Sequence, residues 1–138
     1  MSLLIGYHIK EVLEGNARVR AAVGERIYPI ANVSHDLVYP FMAYTIGNIS
    51  EVATKDGHVE DSVDVAVGIL AKNYDEAMNI AHAARYALED ARASYQATED
   101  HDGFEVRDCE LAGFDEDYND DLPAYIATLH LNFKTLDY

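Results

Sequence analysis

The densest group of potentially reactive side chains is a run of carboxylates near the end of the chain: Asp115, Glu116, Asp117, Asp120 and Asp121. Asp115, Asp117 and Asn119 match the first, third and fifth ligand positions of an EF-hand loop. However, Asp120 stands where that loop needs glycine, and Ile126 stands where it needs glutamate. We therefore predict a solvated acidic loop over Asp115–Asp121, with weak Mg²⁺ or Ca²⁺ binding as the open alternative.

Histidine and cysteine offer no recognisable reactive spacing. The six histidines are His8, His35, His58, His82, His101 and His130. None of them pair at i,i+4 on a predicted helix, so only a metal site assembled from distant residues stays open. The single Cys109 falls in a predicted strand with no adjacent base, which is typical of a packing residue. We predict no catalytic, cofactor-binding or metal residues, and a protein that is not an enzyme.

The charge balance restricts the classes of partner. Ten Lys and Arg stand against 25 Asp and Glu, giving a net charge of −15. Eleven of those acids lie between Glu99 and Asp121, beside one base, Arg107. Phosphate backbones and anionic lipids repel such a chain, so we expect neither stable nucleic-acid binding nor membrane binding. The first residues lack a signal-peptide pattern, which favours a cytoplasmic protein.

Apolar periodicity predicts the helices that would carry these residues. Ile5, Ile9, Val12 and Leu13 share a helical stripe over residues 3–14, with Ser2 as the N-cap and Gly15 at the end. A short helix follows over Ala17–Val23 and ends at Gly24. An alanine-rich helix begins after Asn73, which with Glu76 resembles a capping box, and ends near Ser94.

The intervening segments read as strands. The strongest alternation runs over residues 59–71, where Val63, Val65, Val67 and Ile69 share one face. Further strands are predicted over 26–29, 41–49, 104–114 and 124–136, with an Asp-Gly turn at 55–58. Short connections favour antiparallel pairing. We therefore predict an α+β fold with a single domain over 1–138: an antiparallel sheet of four to five strands with helices packed on one face.

Tyrosine supplies the candidate interface. The chain has 10 Tyr and no Trp, and several tyrosines lie near the first strands. Tyrosine is favoured where a surface is both packed and wet, as in protein interfaces. The candidate interface residues are Arg26, Tyr28, Tyr39 and Tyr44. For Tyr44 and Tyr125, completion of the core is an equally good interpretation.

Four segments together carry a resemblance. They are Val23-Gly24-Glu25-Arg26-Ile27-Tyr28-Pro29, then Tyr39-Pro40-Phe41-Met42-Ala43-Tyr44, then the valine-rich strand, then Asn73-Tyr74-Asp75-Glu76-Ala77. This pattern resembles the tail completion, or tail terminator, family of long-tailed bacteriophages and prophages. The similarity covers roughly the first two thirds of the chain. Glu25 replaces the usual Asp of the family pattern, and Phe41-Met42-Ala43 replaces Tyr-Val-Val.

The resemblance implies a structural virion component without catalytic residues or cofactors. Such subunits form a ring, a hexamer, that caps the tail tube and joins it to the head connector. The implied partners are other copies of the chain, the tail tube protein and the head–tail connector protein. The implied location is the bacterial cytoplasm during assembly and the virion tail afterwards. A carboxylate-lined channel would repel DNA phosphates, so Asp115, Glu116, Asp117, Asp120 and Asp121 are expected to face that channel or the connector.

Two rival functions stay open at this point. The first is an acidic cytoplasmic adaptor whose carboxylates mimic nucleic acid for a basic protein partner. The second is a small enzyme or metal-binding α+β domain, which no motif supports. A salt-sensitive complex with a basic protein would favour the first rival, and stoichiometric metal after dialysis would favour the second.

Overall fold

The computed structural model describes residues 2–29, 37–53 and 59–137. A 3₁₀ turn at Ser2–Leu4 leads into three α-helices: α1 (Ile5–Gly15), α2 (Ala17–Val23) and α3 (Tyr74–Asp90). Six strands complete the described chain: β1 (Ile27–Pro29), β2 (Phe41–Ala53), β3 (Val59–Ala71), β4 (Ala93–Tyr95), β5 (Phe104–Asn119) and β6 (Ala124–Asp137).

The first helix buries the predicted stripe, but its two ends differ from the prediction. Ile5, Ile9 and Leu13 are fully buried. The helix begins after Leu4, whose apolar side chain makes no capping hydrogen bond, rather than after Ser2. Gly15 is the last helical residue and not a left-handed cap. The following Asn16 has an extended backbone and ends the helix.

The second helix confirms the predicted bounds. Asn16 caps it, because its side-chain oxygen accepts hydrogen bonds from the backbone amides of Arg18 and Val19, each at 3.1 Å. Such a cap satisfies amides that have no partner within the helix. Gly24 ends it with a φ of 59°, a left-handed value that glycine adopts without steric cost. The chain then turns directly into β1.

The third helix also starts as predicted. The side chain of Asn73 accepts a hydrogen bond from the Glu76 amide at 3.2 Å. Ala77, Ala81 and Ala84 are buried, so α3 lies close to the sheet. The helix ends at Asp90 rather than near Ser94, since residues 93–95 pair with β5 and form a strand.

The strands form one sheet in the order β1-β2-β3-β6-β5-β4. The prediction of four to five antiparallel strands is wrong in two respects. The sheet has six strands, and β1 pairs with β2 in parallel, with Tyr28 opposite Ala43. Because the two strands run in the same direction, a tight hairpin turn cannot join them, unlike the antiparallel pairs of the sheet. The predicted turn at 55–58 lies outside the described residues.

The bounds of β3 are those predicted, and its pairing explains the core. Along β3 and β6, apolar residues stand opposite each other on the face covered by the helices, here called the helix face. The fully or nearly fully buried pairs are Val63–Phe133, Val65–Leu131, Val67–Leu129 and Ile69–Ala127. We call the other side of the sheet the open face. The predicted α+β arrangement, with helices on one face, is therefore confirmed.

Candidate interaction surfaces

The open face carries polar side chains at the centre of the sheet. The Asn132 amide donates hydrogen bonds to Ser62 Oγ at 2.8 Å and to Asp64 Oδ1 at 2.9 Å. Lys134 Nζ donates to the same Ser62 oxygen at 3.0 Å. These residues alternate with the buried valines and leucines of β3 and β6, so strand periodicity alone places them on this face. The result is a hydrogen-bonded polar surface.

The predicted acidic loop is a strand for most of its length, which corrects the prediction. Asp115, Glu116 and Asp117 belong to β5, and Asp120 and Asp121 lie in the turn that follows. These carboxylates were assigned to a loop because they lack apolar alternation. The pairing of β5 with the strongly alternating β6 extends the strand nonetheless.

This strand divides the five acids between different surfaces. Asp115 and Asp117 lie opposite Thr128 and Ile126 and share the open face. The carboxylate of Asp115 lies 2.7 Å from Nε2 of His130 on the same face. Glu116 points to the helix face, where it accepts a hydrogen bond from the Tyr74 hydroxyl at 2.8 Å. The five residues therefore do not form one continuous surface.

Two of the four candidate interface residues have internal roles in the described structure. Nε of Arg26 donates to the carbonyl of Pro40 at 3.0 Å, and its Nη2 donates to the carbonyl of Ala22 at 3.1 Å. Arg26 thereby ties the end of α2 to the segment that enters β2. Tyr44 is half-buried on the helix face beneath α1, where a Cβ on Gly6 would lie 2.9 Å from its ring. Burial raises the pKa of Tyr44.

The other two, Tyr28 and Tyr39, surround a second apolar cluster on the open face. Both rings contact the buried Phe41, with centroids at 6.0 and 5.2 Å. Phe41 and its strand partner Leu70 lie apart from the main core, because the sheet separates them from it. Lys72 Nζ sits 4.3 Å from the centre of the Tyr39 ring. This aromatic corner of the open face is half-exposed.

A groove on the helix face was missed by the sequence reasoning. It lies between α3 and β5, has a volume of about 300 Å³ and is lined mainly by apolar side chains: Met78, Ala81, Leu111, Phe114 and Leu129. His82 and Arg85 complete its lining. Phe114 is 43% exposed there. The register shift of β5 between Leu111 and Gly113 explains the omission, because it interrupts the alternation that would have assigned Phe114 to this face.

Buried His8 is the second omission. A lone histidine on a helix is usually a surface or half-buried residue, but the side chain of His8 is fully buried, and its Nδ1 lies 2.7 Å from the hydroxyl of Tyr95. Burial lowers the pKa of His8 to about 4, so the imidazole is neutral at pH 7. Nε2 has no hydrogen-bond partner among the described residues. The burial of His8 could have been predicted from the sequence, because His8 directly precedes Ile9 and lies on the buried side of α1.

Cys109 confirms the prediction of a packing residue. Its side chain is 5% exposed, and burial, reinforced by nearby carboxylates, raises the pKa of its thiol to about 12. A thiol with that pKa is protonated at pH 7 and is a poor nucleophile. Within the described ranges, no group of three or more His, Cys, Asp or Glu could hold a metal ion. Nor does any helix of those ranges combine the length and apolar character that crossing a membrane requires.

The fold and these surfaces define a class: an α+β protein whose distinctive features are a polar sheet face, an aromatic corner and an apolar groove. The model of the family "Tail completion protein gp17" matches residues 8–134. The chain therefore belongs to the tail completion protein gp17 family, and it is a structural tail protein of phage-like particles. The resemblance identified in the sequence is confirmed, and it extends through the acidic strand.

A solved structure shares the fold. A chain of the virion of a native gene transfer agent particle superposes with a TM-score of 0.67 at 13% sequence identity. The match covers 93% of this chain and 91% of that chain. No curated protein matches the sequence.

Proposed function

We propose that this chain is a non-enzymatic ring subunit, one domain over residues 1–138, that completes the tail of a phage-like particle. The ring, a hexamer, would cap the tail tube and join it to the head connector. Assembly would take place in the host cytoplasm, before the ring enters the virion tail. The observation that carries the proposal is the family match over nearly the whole chain, supported by the fold shared with a virion chain.

Ring closure requires two different patches on each subunit. Of the candidate interface residues, Tyr28 and Tyr39 have half-exposed rings on the open face. Arg26 links α2 to the segment that enters β2, and Tyr44 packs on the other face beneath α1. Half-exposed aromatic rings over a buried Phe41 suit one side of a subunit contact, because aromatic side chains bury large areas at interfaces. We propose the aromatic corner as one of the two patches.

We propose that the open face, with Asp115 and Asp117, looks toward the DNA channel or the connector. Glu116, Asp120 and Asp121 were expected to share that role, but Glu116 projects from the opposite face and the other two lie in the turn beyond the strand. Carboxylates directed at a channel would repel DNA phosphates and let the genome pass.

The test of the ring is assembly on tail tubes. Purified chain is added to tubes made without this gene, and rings at tube ends are counted by negative-stain electron microscopy. The double variant Tyr28→Ala, Tyr39→Ala should cap fewer than about a tenth of the ends, since interface aromatics commonly carry most of a contact energy. The control Tyr86→Ala, a single replacement of the same kind at an exposed position of α3, should cap as the parent does. Equal capping by all three proteins would refute the aromatic corner as an interface.

The acidic adaptor is retained as a second candidate because of one observation: the carboxylates concentrated along β5. In that case the chain would bind a basic protein with an affinity that falls steeply with salt. Failure of the parent chain to cap tubes, together with such a salt-sensitive complex, would replace the ring proposal with this one.

A further inference from the structure

The outer part of β5 has an unpaired strand edge. Among the residues that the structure describes, β5 pairs on its outer side with β4 alone, through residues 104–106. The side chain of Arg92 then covers the next position, donating to the carbonyl of Arg107 at 2.9 Å and approaching Asp108 at 3.4 Å. From Asp108 to Asn119, no strand of the described ranges lies beyond β5. Such an edge presents free amides and carbonyls that can pair with another strand.

This edge borders surfaces of opposite character on its two sides. On the helix face, Leu111 and Phe114 form one wall of the groove under α3, and Phe114 is exposed. On the open face, the register places Asp108, Glu110, Asp115 and Asp117 in a row. A strand added at the edge would therefore have Leu111 and Phe114 as neighbours on the helix face, where Glu116 is held by Tyr74, and a row of carboxylates on the open face.

We propose that the β5 edge between Asp108 and Asn119 docks an extended segment of another protein in which Lys or Arg alternates with apolar residues. The segment would extend the sheet by backbone hydrogen bonds. Its apolar side chains would lie against Phe114 and the groove, and its cations would stand opposite Asp115 and Asp117. When a strand is added in this way, backbone hydrogen bonds provide the affinity and every second side chain provides the specificity.

Charge argues against a second copy of the chain as the occupant. Two β5 edges would place their carboxylate rows side by side, which is repulsive. In the part of the chain that the structure describes, the other long unpaired edge is that of β2 from Thr45 onward, which carries Glu51 and no Lys or Arg over 45–53. Neither edge therefore supplies the Lys or Arg side chains that would complement the carboxylates of β5. The inference concerns a neighbouring protein and holds whether or not the chain forms a ring.

The test uses the full chain and two blocked synthetic heptapeptides of identical composition. One alternates Lys and Val, and the other places the four Lys before the three Val. Binding is measured by fluorescence anisotropy, and backbone protection by hydrogen exchange. The alternating peptide should bind at least about tenfold more tightly, because only its cations and its apolar residues fall on opposite faces of a strand. It should also slow amide exchange within residues 108–119.

Matched variants distinguish docking at the β5 edge from a general attraction of the peptide to the negative charge of the protein. Asp115→Asn with Asp117→Asn should weaken the alternating peptide about tenfold, because two cross-strand ion pairs are lost. Asp120→Asn with Asp121→Asn removes the same charge from the turn and should change binding less than about twofold. Phe114→Ser, at an exposed position that the core does not use, should weaken binding by removing the groove wall.

Three outcomes would overturn the inference. Equal affinity for the two peptides, or equal loss in the two double variants, would mean that charge alone attracts the peptide. Absence of binding would mean that the edge has no such partner. Concentration-dependent protection of residues 108–119 without peptide would assign the edge to a second copy of the chain.

Discussion

β6 and the outer part of β5 are hydrogen-bonded neighbours, yet they differ in what holds them in the fold. β6 alternates between buried and half-exposed residues along most of its length, and its buried side packs beneath α3. β5 alternates only in its first half, and residues 114–118 are exposed on both faces. β6 is therefore held in the sheet by the burial of its side chains, whereas the outer part of β5 is held there by its pairing with β6. The buried region should therefore govern stability, and the exposed region should govern interactions.

The largest expected effect comes from placing a charge in the buried region. Val65 is 2% exposed and lies between Ile46 and Leu131 on neighbouring strands. Val65→Asp should lower the free energy of unfolding by several kcal/mol, roughly 3–5, because an unpaired carboxylate would be buried. The measurement is urea unfolding followed by circular dichroism. Thr45→Asp, exposed on β2, is the control and should change stability by less than about 0.5 kcal/mol. A soluble Val65→Asp variant with an unchanged melting temperature would mean that the face assigned to β3 is wrong.

The next effect concerns the buried imidazole under α1. The pKa of His8 is about 4 in the folded chain and 6.5 ordinarily, so between these values the unfolded chain binds a proton that the folded chain does not. The neutral, buried imidazole of His8 therefore makes its full contribution to the free energy of unfolding above pH 6.5. This contribution decreases as the pH falls and is lost near pH 4. The total is about 3 kcal/mol. Comparing His8→Gln with the parent by urea unfolding at several pH values isolates this contribution from that of the carboxylates.

Exposed His82→Gln is the matched control for that comparison, because the same chemical change is made at an exposed position of α3. It should change the free energy of unfolding by less than about 0.5 kcal/mol. If the stability difference between the parent and His8→Gln does not change with pH, His8 is not buried as a neutral group.

A smaller effect is expected at the junction between sheet and helix. Asn73→Ala removes the acceptor for the Glu76 amide and should cost about 1 kcal/mol, or a melting temperature lower by about 3–4 °C. Asn79→Ala makes the same replacement on an exposed turn inside α3, where alanine is the better helix former. It should be neutral or slightly stabilising. Equal losses in the two variants would argue against a capping role for Asn73.

The smallest effect on stability is expected in the outer part of β5. The contact of Asp115 with His130 is exposed, with side-chain exposures of 75% and 45%. Pairs of that kind contribute little because water and salt screen them. Asp115→Asn should therefore change the free energy of unfolding by less than about 0.5 kcal/mol at neutral pH. A loss above about 1 kcal/mol would mean that the exposed half of β5 contributes to the core more than its burial indicates.

The sequence predictions were accurate for features that depend on local signals and less accurate for features that depend on tertiary contacts. The bounds of β3 and α2, the cap at Asn73 and the buried stripe of α1 were all predictable, because each depends on local periodicity or a local hydrogen bond. The helical start at Ser2 and the helical end near Ser94 were wrong by a few residues. There, tertiary pairing and packing outweighed the local signals, as with β4, which forms only because β5 provides an edge for it.

The candidate site residues were harder to predict than the elements. Arg26 and Tyr44 were chosen for their types, yet the structure gives them hydrogen-bonding and packing roles inside the subunit. The sequence did not identify Phe114 as a surface residue, because its exposure depends on how far along β5 the helix α3 extends. The interface and channel roles of these residues stay predictions until ring assembly and peptide binding are measured.

The sequence by itself determined the α+β class, the main helices and strands, the faces of β3 and β6 and the family, because apolar periods and capping residues act over a few neighbours. Only the tertiary structure decided the parallel addition of β1, the strand conformation of the acidic residues and their separation onto two faces. Those features depend on hydrogen bonds between strands distant in sequence, where a single register shift reverses which side chain faces the core.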